Sequence, residues 1–183
     1  GMDAIVHAAS VYTLDKRRSA EILKTNKRGA EIVLEESCRA GLDPILHVSS
    51  VAAILSPEKG SVVTTGSPPT PMTVGTYVDS KKEQEIVARH YQKMGAPVIT
   101  TYPGAVMGPH DPNWGDGPIL VESVLRNKTW FSVDGHFPIV DVRDLARFHS
   151  TLIEAGKGPR RFLFSGTRVT HSEIVDLLSF LTG

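Results

Sequence analysis

The sequence predicts an α/β protein with a mostly parallel sheet, and three observations carry that expectation. Short, almost continuously apolar runs alternate with longer segments of helical periodicity, the order of βαβ units. The apolar runs lack in-out alternation, so they read as strands covered on both faces. Gly41, Gly95 and Gly156 fall just past helical segments, where a chain reversal ends a helix.

Taken in order, Asp3 to Ala9 (DAIVHAA) reads as a buried strand. A helix follows from about Ser19 to Cys38, with Ile22, Asn26, Ala30 and Val33 on one stripe. Asp15-Lys16-Arg17-Arg18 is a solvated helix entry. Pro44 to Ser50 (PILHVSS) is the second strand, and residues 56–75, with four Pro and three Gly, form a long irregular loop. The next helix runs from about Tyr77 to Met94, followed by a strand from Val98 to Tyr102 and a turn-rich stretch over 103–117. Ile119 to Arg126 reads as a short helix, Val140 to Ala155 as another beginning near Asp141, Arg161 to Ser165 as a strand and His171 to Leu181 as the last helix. A buried-type strand starting at residue 3 would have an uncovered edge, which folded proteins avoid, so further chain is expected ahead of it.

Composition bounds the function. The chain has 183 residues, 20 Lys+Arg against 20 Asp+Glu, and one Cys. Neutral charge without a basic cluster argues against nucleic acid. No apolar run approaches the roughly 20 residues of a membrane span, and a single Cys makes a reducing cytoplasm the expected location. Cys38 reads as a small buried hydrophobe rather than a nucleophile. His110, Asp111, Asp116 and His136 follow no metal-ligand spacing.

The chemistry-bearing residues are Ser50, Tyr77 and Lys81. Tyr77 and Lys81 are four apart on a helix and so share one face. A phenol is a poor acid at neutral pH, and a nearby ammonium favours its ionised form, making proton transfer efficient. Ser50 ends a strand, where parallel sheets bind ligands, and its hydroxyl can hydrogen-bond the oxygen that Tyr77 protonates. Tyr and Lys at this spacing are common surface residues; the strand ending in Ser-Ser before them gives the pair its weight.

In this order the motifs resemble the extended short-chain dehydrogenase/reductases, the NAD-dependent epimerase/dehydratase family. Residues 1–9 (GMDAIVHAA) are similar to the family's G-x-D-x-V-x-H-x-A strand, and Asn26-Lys27-Arg28-Gly29-Ala30 to N-x-x-G-T, with Ala30 for Thr. Val48-Ser49-Ser50 resembles the strand with the catalytic Ser, and Tyr77-Val78-Asp79-Ser80-Lys81 the Y-x-x-x-K signature. Residues 102–109 (YPGAVMGP) resemble R-P-x-x-V-x-G-P, and 140–146 (VDVRDLA) V-x-V-x-D-x-A. The family's G-x-x-G-x-x-G turn does not occur.

The resemblance implies a Rossmann-like, doubly wound fold with a small substrate-binding lobe, residues 1–106 and 140–168 forming part of the NAD(P)-binding domain and 107–139 and 169–183 part of the lobe. It implies NAD or NADP as cofactor, in a complete protein that supplies the glycine-rich turn. Ala8, Ala9 and Ser10 would line the cofactor, with Asn26 near the nicotinamide ribose, Lys81 on the ribose hydroxyls, and Ser49, Tyr77 and Tyr102 beside them. Pro103, Gly104, Ala105 and Val106 would run past the nicotinamide. Ser50, Tyr77 and Lys81 would be catalytic. Ser50, Val51, Tyr77, Met107 and Trp114 would face a small carbonyl or alcohol substrate, beside the 56–75 loop and Trp130-Phe131.

Ser50 is not followed by the V-Y-G of the nucleotide-sugar enzymes, and Gly135–Ile139 stands where they place an Arg, although Arg126 is available. Both departures favour the branch that resembles dihydroflavonol reductases and 3β-hydroxysteroid dehydrogenases. A nucleotide-sugar epimerase/dehydratase and a non-catalytic NAD(P)-binding sensor or scaffold are the alternatives. The two long helices allow a homodimer.

Overall fold

The computed structural model describes residues 1–11, 16–58, 60–73, 75–111, 114–127 and 135–182. They form two compact units, one of residues 1–102 and 149–163 and the other of residues 103–148 and 164–183. Compactness thus divides the chain at 102/103, where the sequence reading divided it by role at 106/107.

The first unit is built on β1 (Ile5–His7), α1 (Ser19–Arg39), β2 (Ile45–Val48), α2 (Thr76–Lys93), β3 (Val98–Pro103) and β6 (Arg160–Phe164). Its sheet has the order β1-β2-β3-β6, and β1, β2 and β3 pair in parallel, with His7 opposite His47 and His47 opposite Thr100. Every residue of β3 is buried, as a strand between covered faces requires. Helices α1 and α2 pack on each other. Ala30 and Leu34 of α1 and Val87 and Ala88 of α2 close over Ile45 and Val98. The α1 stripe runs Ile22, Asn26, Ala30, Leu34. Val33 is only half-buried, because strict four-residue spacing keeps one helix face inward and Leu34, not Val33, continues it. Both long helices end in a reversal: Gly41 (φ +69°) and Gly95 (φ +84°) take the left-handed conformation after the last turn.

The second unit contains β4 (Ala105–Met107), α3 (Asp116–Asn127), β5 (His136–Asp141), most of α4 (Val142–Leu152), β7 (Thr167–Thr170) and α5 (His171–Thr182). Here β4 pairs in parallel with β5, and β5 antiparallel with β7. Four features differ from the sequence expectation. The turn-rich 103–117 stretch holds β4, α3 begins at Asp116 rather than Ile119, β7 forms at Thr167–Thr170 where no strand was expected, and residues 136–141 are a strand running directly into α4, so Val140 and Asp141 are not helical. No Gly or Pro separates strand from helix at this point. Asp141 makes the change of conformation, its carboxylate accepting the Arg143 N–H at 2.8 Å in the manner of a helix cap. Gly104 is fixed by space: a Cβ there would lie 2.3 Å from the Pro138 carbonyl oxygen and 2.8 Å from that of Ser165.

Candidate active site

The candidate site lies where β2 ends and α2 begins. After Val48 the chain passes through Ser49 and Ser50 into a single 3-10 turn (Val51–Ile54) that packs against α2. Ser50 is extended, and its Oγ accepts the Ala52 N–H at 3.2 Å. Accepting that bond leaves its own hydroxyl proton to donate. Ser49 differs, because its Oγ donates to Glu85 Oε2 at 3.2 Å. The two adjacent hydroxyls are thereby told apart, with Ser49 committed to the scaffold and Ser50 not.

Tyr77 lies half-buried in the first turn of α2, and Lys81, one turn on, is 7% exposed. No carboxylate among the described residues pairs with Lys81, and burial pulls its ammonium down to about 8. The ammonium lies near enough to β1 and β2 that its charge lowers the pKa of both His7 and His47. Those rings are 5.3 Å apart. Burial first, then His7 and Lys81, push His47 down to about 3, so it stays neutral.

One helical turn beyond Lys81, Glu85 is fully buried. It accepts from Ser49, from the Tyr102 hydroxyl at 2.7 Å and from Arg89 Nε at 2.6 Å. Arg89 in turn donates to the Ser67 carbonyl. This carboxylate, which the sequence reading missed, fastens α2 to the ends of β2 and β3. The Lys81, Glu85, Arg89 spacing of four was its available signal.

The other expected residues fall into place as follows. Ala8, Ala9 and Ser10 are exposed just past β1. Asn26 is buried; its Oδ1 accepts the Val11 N–H at 2.7 Å, and its Nδ2 donates to the Val11 carbonyl and to Ser80 Oγ. It clamps the chain after β1 to both long helices. Val51 is half-buried. Tyr102 is wholly buried with its hydroxyl on Glu85, so its side chain offers a ligand no surface. In the second unit Pro103 is buried while Ala105 and Val106 are exposed. Met107 and Trp114 line one cavity of about 600 Å³, walled by Pro118, Val121 and Leu125 of α3. Arg126 lies at this cavity with its Nε held 2.6 Å from Glu122, which also accepts from the Trp114 indole. Trp130 and Phe131 lie outside the described residues. Asp111 accepts the Gly115 N–H, and burial raises the Cys38 thiol's pKa.

Residues 1–164 match the sequence profile of the NAD-dependent epimerase/dehydratase family. The chain belongs to this family. Among curated members, it is 24% identical over its whole length to sterol demethylase protein B of Methylococcus capsulatus and covers 56% of that protein. A Synechocystis sp. member carrying the provisional name dihydroflavonol 4-reductase is also 24% identical over the whole chain, which covers 55% of it. The chain therefore spans a little over half the length of these relatives. Among solved structures, a double mutant of DesIV, a dTDP-glucose 4,6-dehydratase from Streptomyces venezuelae with NAD bound, superposes with a TM-score of 0.77 at 27% identity, matching 97% of this chain and 56% of that one. The Rossmann-like family fold agrees with the mostly parallel α/β architecture described above. Among the described residues no helix is long and apolar enough to cross a membrane.

Proposed function

We propose that the complete protein is an NAD-dependent oxidoreductase in which Ser50, Tyr77 and Lys81 act on one substrate oxygen. The observation that carries this reading is the buried ammonium of Lys81, one turn from Tyr77 and with no carboxylate partner among the described residues. NAD is the cofactor favoured, because similar solved structures hold it. The residues present suit such a group: ribose hydroxyls would satisfy a buried donor that has no carboxylate, and small exposed residues at Ala8–Ser10 leave the backbone past β1 open. When bound, NAD supplies or takes up hydride.

The chain's own residues handle the proton. In the reducing direction the Tyr77 hydroxyl donates to the oxygen that gains negative charge, and the Ser50 hydroxyl donates a second hydrogen bond to it. The tyrosinate left behind lies one helical turn from the Lys81 ammonium. In the oxidising direction the same tyrosinate takes the alcohol proton. Asn26 serves by holding Val11, and with it the loop beside the cofactor. Replacing Tyr77 by Phe in the complete protein should cut turnover at least about 100-fold, the range for general acid catalysis, while NAD affinity stays unchanged. Undiminished turnover removes Tyr77 from the mechanism, and NAD binding without turnover of any substrate by the unmutated protein favours a sensor.

The apolar cavity at Met107 and Trp114 supports an apolar ketone, aldehyde or alcohol as substrate. Arg126, engaged by Glu122, is poorly placed to meet a diphosphate. The second reading, a nucleotide-sugar dehydratase or epimerase, draws on the likeness to DesIV. A panel of apolar ketones set against nucleotide sugars, followed by cofactor absorbance, separates the two.

A further inference from the structure

A second cavity, of about 810 Å³, opens between the C-terminal half of α2 and the start of β6. Lys93 ends α2, whereas Tyr77 lies in its first turn, so the two are separated by roughly 24 Å along the helix axis at 1.5 Å per residue. The cavity is lined by Arg89, His90, Lys93, Arg160 and Arg161, with Ile86 among its apolar walls. Two lining residues are structural. Arg89 is neutralised by Glu85, and Gln92 donates to the carbonyls of Val98 and Arg160 and to Thr100 Oγ1.

Lys93, Arg160 and Arg161 are different, since no carboxylate among the described residues pairs with any of them. Elsewhere in this neutral chain Arg18, Arg28, Arg39, Arg126, Arg143 and Arg147 each have an acidic neighbour on the same segment. Arg160 carries a further mark. Its Nε and Nη2 are buried without a hydrogen-bond partner, while the guanidinium carbon lies 5.9 Å from the Phe162 ring centroid. Nε and Nη2 form one edge of the guanidinium, the two-pronged edge that grips a pair of oxygens on one phosphorus or carbon. Buried N–H groups left unpaired cost free energy that an oxyanion would recover.

We propose that this cavity binds a small phosphorylated ligand, with Arg160 turning its unpaired edge onto the phosphoryl oxygens and Lys93 and Arg161 balancing the remaining charge. Three uncompensated cations suit a multiply charged phosphate better than a single carboxylate, and a volume of about 810 Å³ leaves room for an organic portion against the apolar walls. The site is separate from the dinucleotide and substrate positions proposed above and does not depend on them.

The test is calorimetric titration of the complete protein with inorganic pyrophosphate, NAD being kept saturating so that a dinucleotide pocket is filled. One pyrophosphate per chain should bind, and Arg160→Gln combined with Arg161→Gln should weaken it at least tenfold while leaving NAD affinity unchanged. Absence of binding to the unmutated protein overturns the proposal. So does equal binding to the double variant, which would put the anion elsewhere. Should the double variant fail to fold, the exposed Lys93→Gln substitution decides: weakening of at least threefold sustains the site, and unchanged affinity overturns it.

Discussion

Lys81 is an ammonium that the fold holds at a disadvantage, and the size of that disadvantage can be worked out. Burial takes its pKa from the ordinary 10.5 to about 8. At roughly 1.4 kcal/mol per pKa unit, keeping the group charged at pH 7 costs the folded state about 3 kcal/mol. The folded pKa lies below the unfolded one, so the unfolded chain binds more protons between pH 8 and 10.5, and the penalty fades as pH rises through that window. Lys81→Met preserves much of the side-chain length and removes the charge. It should therefore raise stability by about 3 kcal/mol at pH 7 and by little at pH 10.5, while abolishing turnover. Urea unfolding of the nucleotide-free complete protein at both pH values, variant against unmutated chain, reads the difference directly. A loss of stability at pH 7, or a gain of equal size at both pH values, would refute the reasoning.

Three further substitutions probe the scaffold. Glu85→Gln leaves the largely buried Arg89 without its counter-charge and should cost about 3 kcal/mol in urea unfolding; a change below about 1 kcal/mol would mean that the ion pair contributes little. Asn26→Leu strips the Val11 N–H and carbonyl of their partner and should cost about 2 kcal/mol. If Asn26 is a positioning residue, NAD affinity should fall with kcat barely altered, and the opposite split would place Asn26 in the chemistry. Gly104→Ala forces a methyl against two backbone carbonyls and should destabilise by about 2 kcal/mol, read as a lowered melting temperature. An unchanged melting temperature would show that these segments separate easily.

The parts of the site that were legible in the sequence are those written in local spacing. Tyr77 and Lys81 share a face because they are four residues apart on a helix, and Ser50 ends a continuously apolar strand; neither statement requires knowledge of distant contacts. Glu85 was not legible in the same way. Its spacing from Lys81 and Arg89 is equally regular, but α2 also carries Glu83, which meets Lys27 at the surface, and only packing against β2 and β3 decides which carboxylate turns inward. The second unit was the least legible. β4 has three residues and β7 four, too few to display a period, and β5 passes into α4 with no breaker between them. In α1 the periodicity was right and its last member wrong, Val33 and Leu34 being equally apolar neighbours that a single residue of helical phase separates.

The carboxylate of Glu85 has one more implication. Because it grips Ser49 and Tyr102 from outside the helix as well as Arg89 on it, α2 cannot roll about its own axis without surrendering the first two together. Directions along the first turn of that helix are consequently set during folding rather than on ligand arrival. On the mechanism proposed above, little reorganisation would remain to be done when the reacting oxygen enters, which is the condition under which fixed dipoles and charges lower a barrier most effectively.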